Sequence, residues 1–127
     1  MKIQLTSVLV DDQDRALAFY TDVLGFVRKQ DIPVGQYRWV TVVSPEGHDD
    51  VELLLEPTGF EPSQVYQRAL FEAKIAAAAF AVDDIHQEYE RLIKLGVNFS
   101  SEPQVAGDVT IAVLEDTCGN LIQLYQV

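Results

Sequence analysis

The sequence predicts an α+β fold in which two βαβββ modules follow one another along the chain. The first observation is an internal repeat: residues 8–12 and 80–84 match at an offset of 72 residues, and Gly25 and Gly96 match at 71. A repeat this long indicates a duplicated half-domain, because solenoid repeats have roughly 20–50 residues. The second observation is the order of patterns within each copy, which changes from strand-like to helical spacing and back.

The first module, about residues 1–56, begins with a strand over 3–10 that is rich in β-branched and apolar residues. Asp11 or Asp12 can then accept a hydrogen bond from a free N–H group at the start of a helix. Apolar residues recur at helical spacing as far as Gly25, where a left-handed cap is expected. The other strands of this module are predicted over 26–31 (a weaker pattern), 37–43 and 51–56.

The second module, about residues 76–127, repeats this order. Asp84 and Gln87 form the capping-box pattern that begins a helix, and Gly96 stands at its end. Its strands are predicted over 76–82, 97–101, 109–114 and 121–127. A linker helix is predicted within 57–75, and the whole chain, 1–127, is short enough for a single domain. The apolar residues on one side of the linker helix are Val65, Ala69, Leu70 and Ala73.

Each module has only one helix, which can cover one face of its sheet. We therefore expect the modules to form a cupped, partly closed mixed sheet, with the helices on the outer face and a ligand pocket on the inner one. Strand alternation assigns Val8 and Val10, and likewise Phe80 and Val82, to the helix side. The residues expected to line the pocket are Leu5, Ser7, Trp39, Thr41, Glu52, Leu54, Ala77, Ala79, Gln123 and Tyr125.

Composition excludes several function classes. The net charge is −11 and no basic stripe is present, so binding to nucleic acid or to an anionic membrane surface is not expected. The sequence shows neither an apolar run of membrane-spanning length nor a signal peptide, which predicts a cytoplasmic protein. The single cysteine, Cys118, cannot form an internal disulfide, in agreement with a reducing compartment.

Two segments of the chain, one near each end, carry a resemblance. The runs are Val10 to Asp12, Arg15 to Tyr20 and Val23 to Phe26 near the start, and Asp116 with Gly119 to Tyr125 near the end. They resemble the opening and the last hairpin of the glyoxalase/bleomycin-resistance/extradiol-dioxygenase superfamily, whose members are also called vicinal oxygen chelate proteins. The resemblance covers essentially the whole chain and implies paired βαβββ modules, often in a homodimer. It defines the fold more closely than the function, because this fold supports several chemistries as well as binding.

The resemblance also implies positions for a metal. Enzymes of this superfamily hold a divalent ion with ligands from the first and last strands of each module, and the ion acts as a Lewis acid. These positions fall on Leu5 and Ala77, which have no lone pair for a metal, and on Glu52 and Gln123, which do. No cofactor is therefore expected, and a divalent metal would need a rearranged site built on Glu52 and Gln123.

Glu52 is the strongest candidate functional residue. It is either a pocket carboxylate, which binds a cation or a donor group or acts as a general base, or a hydrated glutamate without a role. Gln123 either shares a hydrogen bond to the ligand or satisfies Glu52 when Glu52 is protonated. Trp39, Thr41 and Tyr125 would add an aromatic wall with polar groups, which suits a flat organic ligand. For Trp39, packing in the core or at a dimer seam is the alternative.

The remaining reactive side chains are predicted to lie outside the pocket. Arg38 adjoins Trp39 on a strand and therefore points the other way, toward a surface salt bridge. His48 belongs to a polar turn that favours a solvated loop over a metal cluster. His86 lies in the first turn of the second helix and is expected to be exposed. Cys118 is predicted as a structural turn residue.

Three functional hypotheses follow from these residues. The leading one is a protein of this superfamily that binds a small organic molecule without the usual metal, as a homodimer. The alternative is a lyase or isomerase resembling glyoxalase, either metal-dependent through a rearranged site or metal-free with Glu52 as base. The third is sequestration of a toxic compound, as in bleomycin-resistance proteins. The acidity of the chain agrees with that role, although acidity also favours solubility alone.

Overall fold

The structure is a computed structural model that describes residues 1–127. Its strands are β1 (Leu5–Val10), β2 (Val27–Val34), β3 (Tyr37–Val43), β4 (Glu52–Pro57), β5 (Ala78–Ala81), β6 (Phe99–Ala106), β7 (Val109–Glu115) and β8 (Leu121–Gln126). Its helices are α1 (Gln13–Ala18), α2 (Glu61–Glu72) and α3 (Ile85–Lys94), and a π-helical turn, Phe19–Val23, follows α1. None of these helices is long and apolar enough to cross a membrane.

The chain forms two compact units, Met1–Val65 and Tyr66–Val127. Sheet one, in the first unit, has the strand order β1-β4-β3-β2, and sheet two, in the second, has the order β5-β8-β7-β6. In each sheet one pair is parallel, β1 with β4 and β5 with β8, and the other pairs are antiparallel. The predicted α+β fold with two βαβββ modules is confirmed. Both sheets are open.

The first helix begins where the sequence predicts it but ends differently. The side chain of Asp12 accepts a hydrogen bond from the backbone N–H of Arg15 at 2.9 Å and so caps α1. After Ala18 the helix widens into the π-helical turn. The hydroxyl group of Thr21 donates to the carbonyl oxygen of Leu17 at 2.6 Å, a local bond of the kind that bends helices.

The core of the first unit lies between sheet one and α1 with its π-helical turn. The buried apolar side chains of this layer are Val8, Val10, Ala16, Phe19, Tyr20, Val40, Val42 and Leu55. Their strand positions agree with the predicted alternation, and α1 packs against β3 and β4. We call the opposite side of each sheet, which faces away from the helix of its own module, the helix-free face.

The core of the second unit is built in the same way. Asp84 caps α3 by accepting a hydrogen bond from the backbone N–H of Gln87 at 3.0 Å. The buried apolar residues between α3 and sheet two are Ile85, Leu92, Ala112, Leu114, Ile122 and Leu124. Since Ile122 and Leu124 face α3, Gln123 and Tyr125 lie on the helix-free face of sheet two.

Two strands are longer than the sequence predicts, and both are edge strands. β2 ends at Val34 and β6 at Ala106, and each continues through a proline, Pro33 and Pro103 respectively. A proline has no N–H group to donate to a neighbouring strand. On the outer side of an edge strand no neighbouring strand is present, so this donor is not needed. The prolines therefore do not end these strands, although they make the sequence pattern weak.

The predicted apolar side of the linker helix is not buried. Val65 is 60% exposed, and Ala69 and Ala73 are also exposed. The buried residue of α2 is Gln67, whose Nε2 donates to the carbonyl oxygen of Cys118 at 3.0 Å and to Asn120 Oδ1 at 3.2 Å. Hydrogen bonds to a buried turn, rather than apolar spacing, determine which side of this helix is covered.

Candidate functional site

Three neighbouring strands bring polar side chains together on the helix-free face of sheet one. β3 supplies Thr41, β2 supplies its ladder partner Gln30, and β4 supplies Glu52. Thr41 Oγ1 donates a hydrogen bond to Glu52 Oε1 at 2.7 Å, and Gln30 Nε2 donates to the same oxygen at 2.6 Å. We call these three residues the Glu52 cluster.

The cluster favours the charged form of its carboxyl group. The hydrogen bond from Thr41 is the largest cause that lowers the pKa of Glu52 below its ordinary value, followed by the bond from Gln30. Partial burial opposes this shift, and the positive charge of Lys29 adds to it slightly. Glu52 is therefore a carboxylate at neutral pH. Thr41 has no exposed surface, so the stronger of the two donors is fixed in place.

The second carboxylate oxygen of Glu52 has a different environment. No group of the protein donates a hydrogen bond to Oε2, and no ion pair includes Glu52. The side chain is half-buried, and no buried polar atom lacks a hydrogen-bond partner, so Oε2 keeps access to solvent. Glu52 thus has one oxygen saturated by the protein and one oxygen open to a ligand.

The other predicted residues of module one lie on the same face. Leu5 is the ladder partner of Glu52, and Ser7 is the ladder partner of Leu54. Trp39 stands two residues before Thr41 on β3 and therefore points to the same side. Leu54 is 8% exposed and Leu5 is 45% exposed. The helix-free face of sheet one thus combines the carboxylates of Glu52 and, two residues after Leu54, Glu56 with apolar and aromatic side chains.

Sheet two lacks a comparable cluster. Gln123 is the repeat partner of Glu52, but no protein group forms a hydrogen bond with its side chain. Its ladder partners are Ala79 on β5 and Val113 on β7, which have no donor. Ala77 precedes β5, so the partner of Gln123 is Ala79, two residues later than the repeat indicates. That Ala77, Ala79, Gln123 and Tyr125 line a ligand pocket stays a prediction.

Gln30 is the residue of the candidate site that the sequence did not predict. The bulge between Arg28 and Gln30 breaks the alternation of β2, so no face could be assigned to Gln30 from the pattern. A usable signal is the two-residue connection between Val34 and Tyr37, with Gly35 at a φ of 61°. Counting the hairpin register back from that turn places Gln30 opposite Thr41.

The remaining candidates lie elsewhere. Arg38 forms the predicted salt bridges: Nε lies 2.9 Å from Asp31 Oδ1 and Nη1 lies 2.5 Å from Asp14 Oδ1, and both contacts raise the pKa of Arg38. His48 and His86 are exposed. Cys118 is buried within a turn, as expected for a structural residue.

The residues present do not fit the divalent metal centre that the family resemblance implies. Leu5 and Ala77 have no donor atom, and one oxygen of Glu52 already accepts two hydrogen bonds. The structure contains no group of three or more His, Cys, Asp or Glu side chains that could hold a metal ion. We therefore derive no chemical step through a metal.

Comparison with known proteins identifies the family. The model of the Glyoxalase/Bleomycin resistance protein/Dioxygenase superfamily matches residues 2–124. The chain belongs to this superfamily. This result confirms the resemblance that the sequence predicted.

The chain is also similar to individual proteins along nearly its whole length. YurT of Bacillus subtilis (strain 168), an uncharacterised protein, is 52% identical over 126 residues, which cover 99% of each chain. Lactoylglutathione lyase of Salmonella typhimurium is 28% identical and covers 99% of this chain and 93% of its own. The crystal structure of TnmS3, an antibiotic binding protein from Streptomyces sp. CB03234, superimposes with a TM-score of 0.78 at 27% identity, covering 99% of this chain and 95% of TnmS3.

Proposed function

We propose that this superfamily member binds a small organic molecule on the helix-free face of sheet one and does not convert it chemically. The observation that carries the proposal is the Glu52 cluster. A charged carboxylate accepts hydrogen bonds from Thr41 and Gln30, on the same face as Trp39 and Leu5. A few fixed polar groups among apolar and aromatic side chains are typical of small-molecule sites. The likeness to TnmS3, an antibiotic binding protein, agrees with this role.

The same hydrogen bonds argue against Glu52 as a catalytic base. A general base works best when its pKa lies near the working pH, and enzymes raise the pKa of a glutamate to reach that range. Here the two donors lower the pKa of Glu52 instead, which makes the carboxylate a weaker proton acceptor. The donors also occupy Oε1, so only Oε2 could receive a proton.

Ligand binding can be tested through the only tryptophan of the chain, Trp39. We expect a subset of compounds from a small library of flat, drug-like molecules to change its fluorescence in a saturable way and to raise the melting temperature. Tyr125→Phe, a change in the other unit, serves as a control for the assignment to sheet one. If no compound that stabilises the protein alters the fluorescence of Trp39, the proposed site is wrong.

The similarity to lactoylglutathione lyase identifies the enzymatic activity that should be assayed. Incubation of this protein with glutathione and methylglyoxal, the thiol and aldehyde from which lactoylglutathione forms, should give no lactoylglutathione above the rate without protein, with and without added Zn²⁺, Ni²⁺ or Mg²⁺. Turnover that disappears in Glu52→Gln would instead establish the enzymatic alternative. Homodimerisation and a cytoplasmic location stay predictions; light scattering of the purified chain tests the first.

A further inference from the structure

The hydrogen-bonding groups of the Glu52 cluster are used unequally. Thr41 has one O–H group, and it points to Glu52 Oε1. Gln30 uses one N–H bond of its amide for the same oxygen. A threonine hydroxyl has a single donor, and a carboxylate has none. Apart from the second N–H bond of Gln30, the cluster therefore has no donor left.

The acceptors of the cluster are in surplus. Glu52 Oε2 accepts no hydrogen bond from the protein, and neither does the amide oxygen of Gln30. The orientation of the Gln30 amide is fixed, because only its nitrogen can donate to a carboxylate. The part of the cluster that is open to a ligand is thus mainly an accepting surface. A complementary ligand must bring hydrogen-bond donors.

The charge of the cluster is also unbalanced. Glu52 carries a negative charge and takes part in no ion pair. The basic residue with an electrostatic effect on Glu52 is Lys29, whose Nζ donates to the carbonyl oxygen of Asp49 at 2.7 Å. A half-buried carboxylate without a cationic partner is stabilised when a cationic donor binds to it.

We propose that the ligand site of this protein recognises an organic cation with two or more N–H groups, such as an amidinium or an alkylammonium group, through Glu52 Oε2 and the amide oxygen of Gln30. The proposal rests on the proposed binding function and specifies the chemical class of the ligand. The apolar body of the ligand lies against Trp39 and Leu5, which share the helix-free face with the cluster and keep exposed surface.

The test uses three probes of one shape and different charge: benzamidine, benzamide and benzoate. Each is titrated into the ¹⁵N-labelled full chain, and the amide shifts of Gln30, Thr41 and Glu52 are followed. We expect benzamidine to bind about tenfold or more tightly than benzamide, and benzoate not to bind, since a charge-assisted hydrogen bond is stronger than a neutral one. Benzamidine binding should also weaken as the pH falls and Glu52 becomes protonated.

Two variants give the control. Glu52→Gln keeps the size of the side chain and should abolish the preference for benzamidine over benzamide. Glu102→Gln makes the same change of net charge at an exposed position on β6 and should preserve it. Thermal unfolding of both variants checks that each is folded.

Several results would overturn the inference. If benzamidine and benzamide bind equally well at these residues, the preference for a cation is wrong, but the proposed binding of small molecules stands. Stoichiometric binding of Mg²⁺ or Zn²⁺ that displaces benzamidine makes the cluster a metal site. If none of the three probes shifts the cluster while other compounds change Trp39 fluorescence, the ligand class is wrong and the binding function stands. If no compound affects Trp39 either, both fail.

Discussion

The two modules have the same backbone plan but differ in the chemistry of their helix-free faces. Glu52 in module one accepts hydrogen bonds from Thr41 and Gln30, whereas its repeat partner Gln123 has none. Ile111 of module two stands at the position that Thr41 has in module one. Thr41 is the ladder partner of Leu54, two residues after Glu52, and Ile111 is the ladder partner of Tyr125, two residues after Gln123. The repeat therefore preserves the side chains that the core requires, and it leaves the helix-free faces free to diverge.

The turns before the closing strands differ in the opposite sense. In module two, Asp116 Oδ1 accepts from the backbone N–H groups of Cys118 and Asn120 at 2.8 and 2.9 Å, and Oδ2 accepts from Asn120 Nδ2 at 2.7 Å. In module one the loop before β4 has two long backbone bonds, from Gly47 N–H to the carbonyl oxygen of Ser44 at 3.4 Å and from Val51 N–H to that of His48 at 3.3 Å. Module two thus has the turn with more hydrogen bonds, and module one has the face with the hydrogen-bonded carboxylate.

The largest expected effect concerns this turn. Asp116→Ala should lower the free energy of unfolding by about 3–4 kcal/mol, because it leaves three buried donors without their acceptor. Ser44→Ala, at the matching position of module one, should cost no more than about 0.5 kcal/mol. Urea unfolding of both variants measures the difference. Similar losses would mean that the two turns are equally important.

A glycine pair sharpens the same comparison. Gly119 has a φ of 98°, and a Cβ atom there would lie 2.9 Å from the side-chain amide of Gln67. Gly119→Ala should therefore cost about 2 kcal/mol or more. At Gly47 no positive φ is required, and a Cβ atom would meet the side chain of Ser44 at 3.3 Å, so Gly47→Ala should cost less than about 1 kcal/mol. Equal melting temperatures of the two variants would contradict this.

The hydrogen bond from Thr41 to Glu52 can be removed with little change in the shape of the side chain. Thr41→Val should cost about 1 kcal/mol and raise the pKa of Glu52, because the buried hydroxyl is its main donor. The matched control is Thr110→Val on β7, where the hydroxyl group forms no side-chain hydrogen bond. The pKa of Glu52 is followed by ¹³C NMR of the carboxyl carbon. An unchanged value in Thr41→Val would show that Thr41 is not its donor in solution.

The smallest effect is a difference in acid stability. The pKa of Glu52 is lower in the folded chain than in the unfolded one, so the carboxylate stabilises the fold above the unfolded pKa. That contribution is lost as the pH falls through the folded pKa of Glu52. The difference in the free energy of unfolding between the wild type and Glu52→Gln should therefore narrow as the pH falls below 4.5, the ordinary pKa of a glutamate. Lys29 is the neighbouring charge that contributes to the lowered pKa. The same experiment on Gln123→Leu should show no such pH dependence.

The sequence predicted most of the fold because core residues repeat with the period of their element. The helix caps Asp12 and Asp84 and the strand faces of Val8 and Val10 agree with the structure. The exceptions have local causes. The π-helical turn after α1 and the buried side of α2 depend on individual hydrogen bonds, such as those of Gln67, which leave no periodic signal.

The sequence by itself determined that the chain has two related modules and that Glu52 faces away from α1. Alternation is sufficient for this, because a strand has only two faces. Only the tertiary structure decided which donors reach Glu52, and on which oxygen. A hydrogen bond requires atoms within about 3 Å, and that distance depends on strand register. That register runs unbroken from the turn between β2 and β3 to Gln30, and it brings Gln30, from a strand with no readable pattern, to the carboxylate.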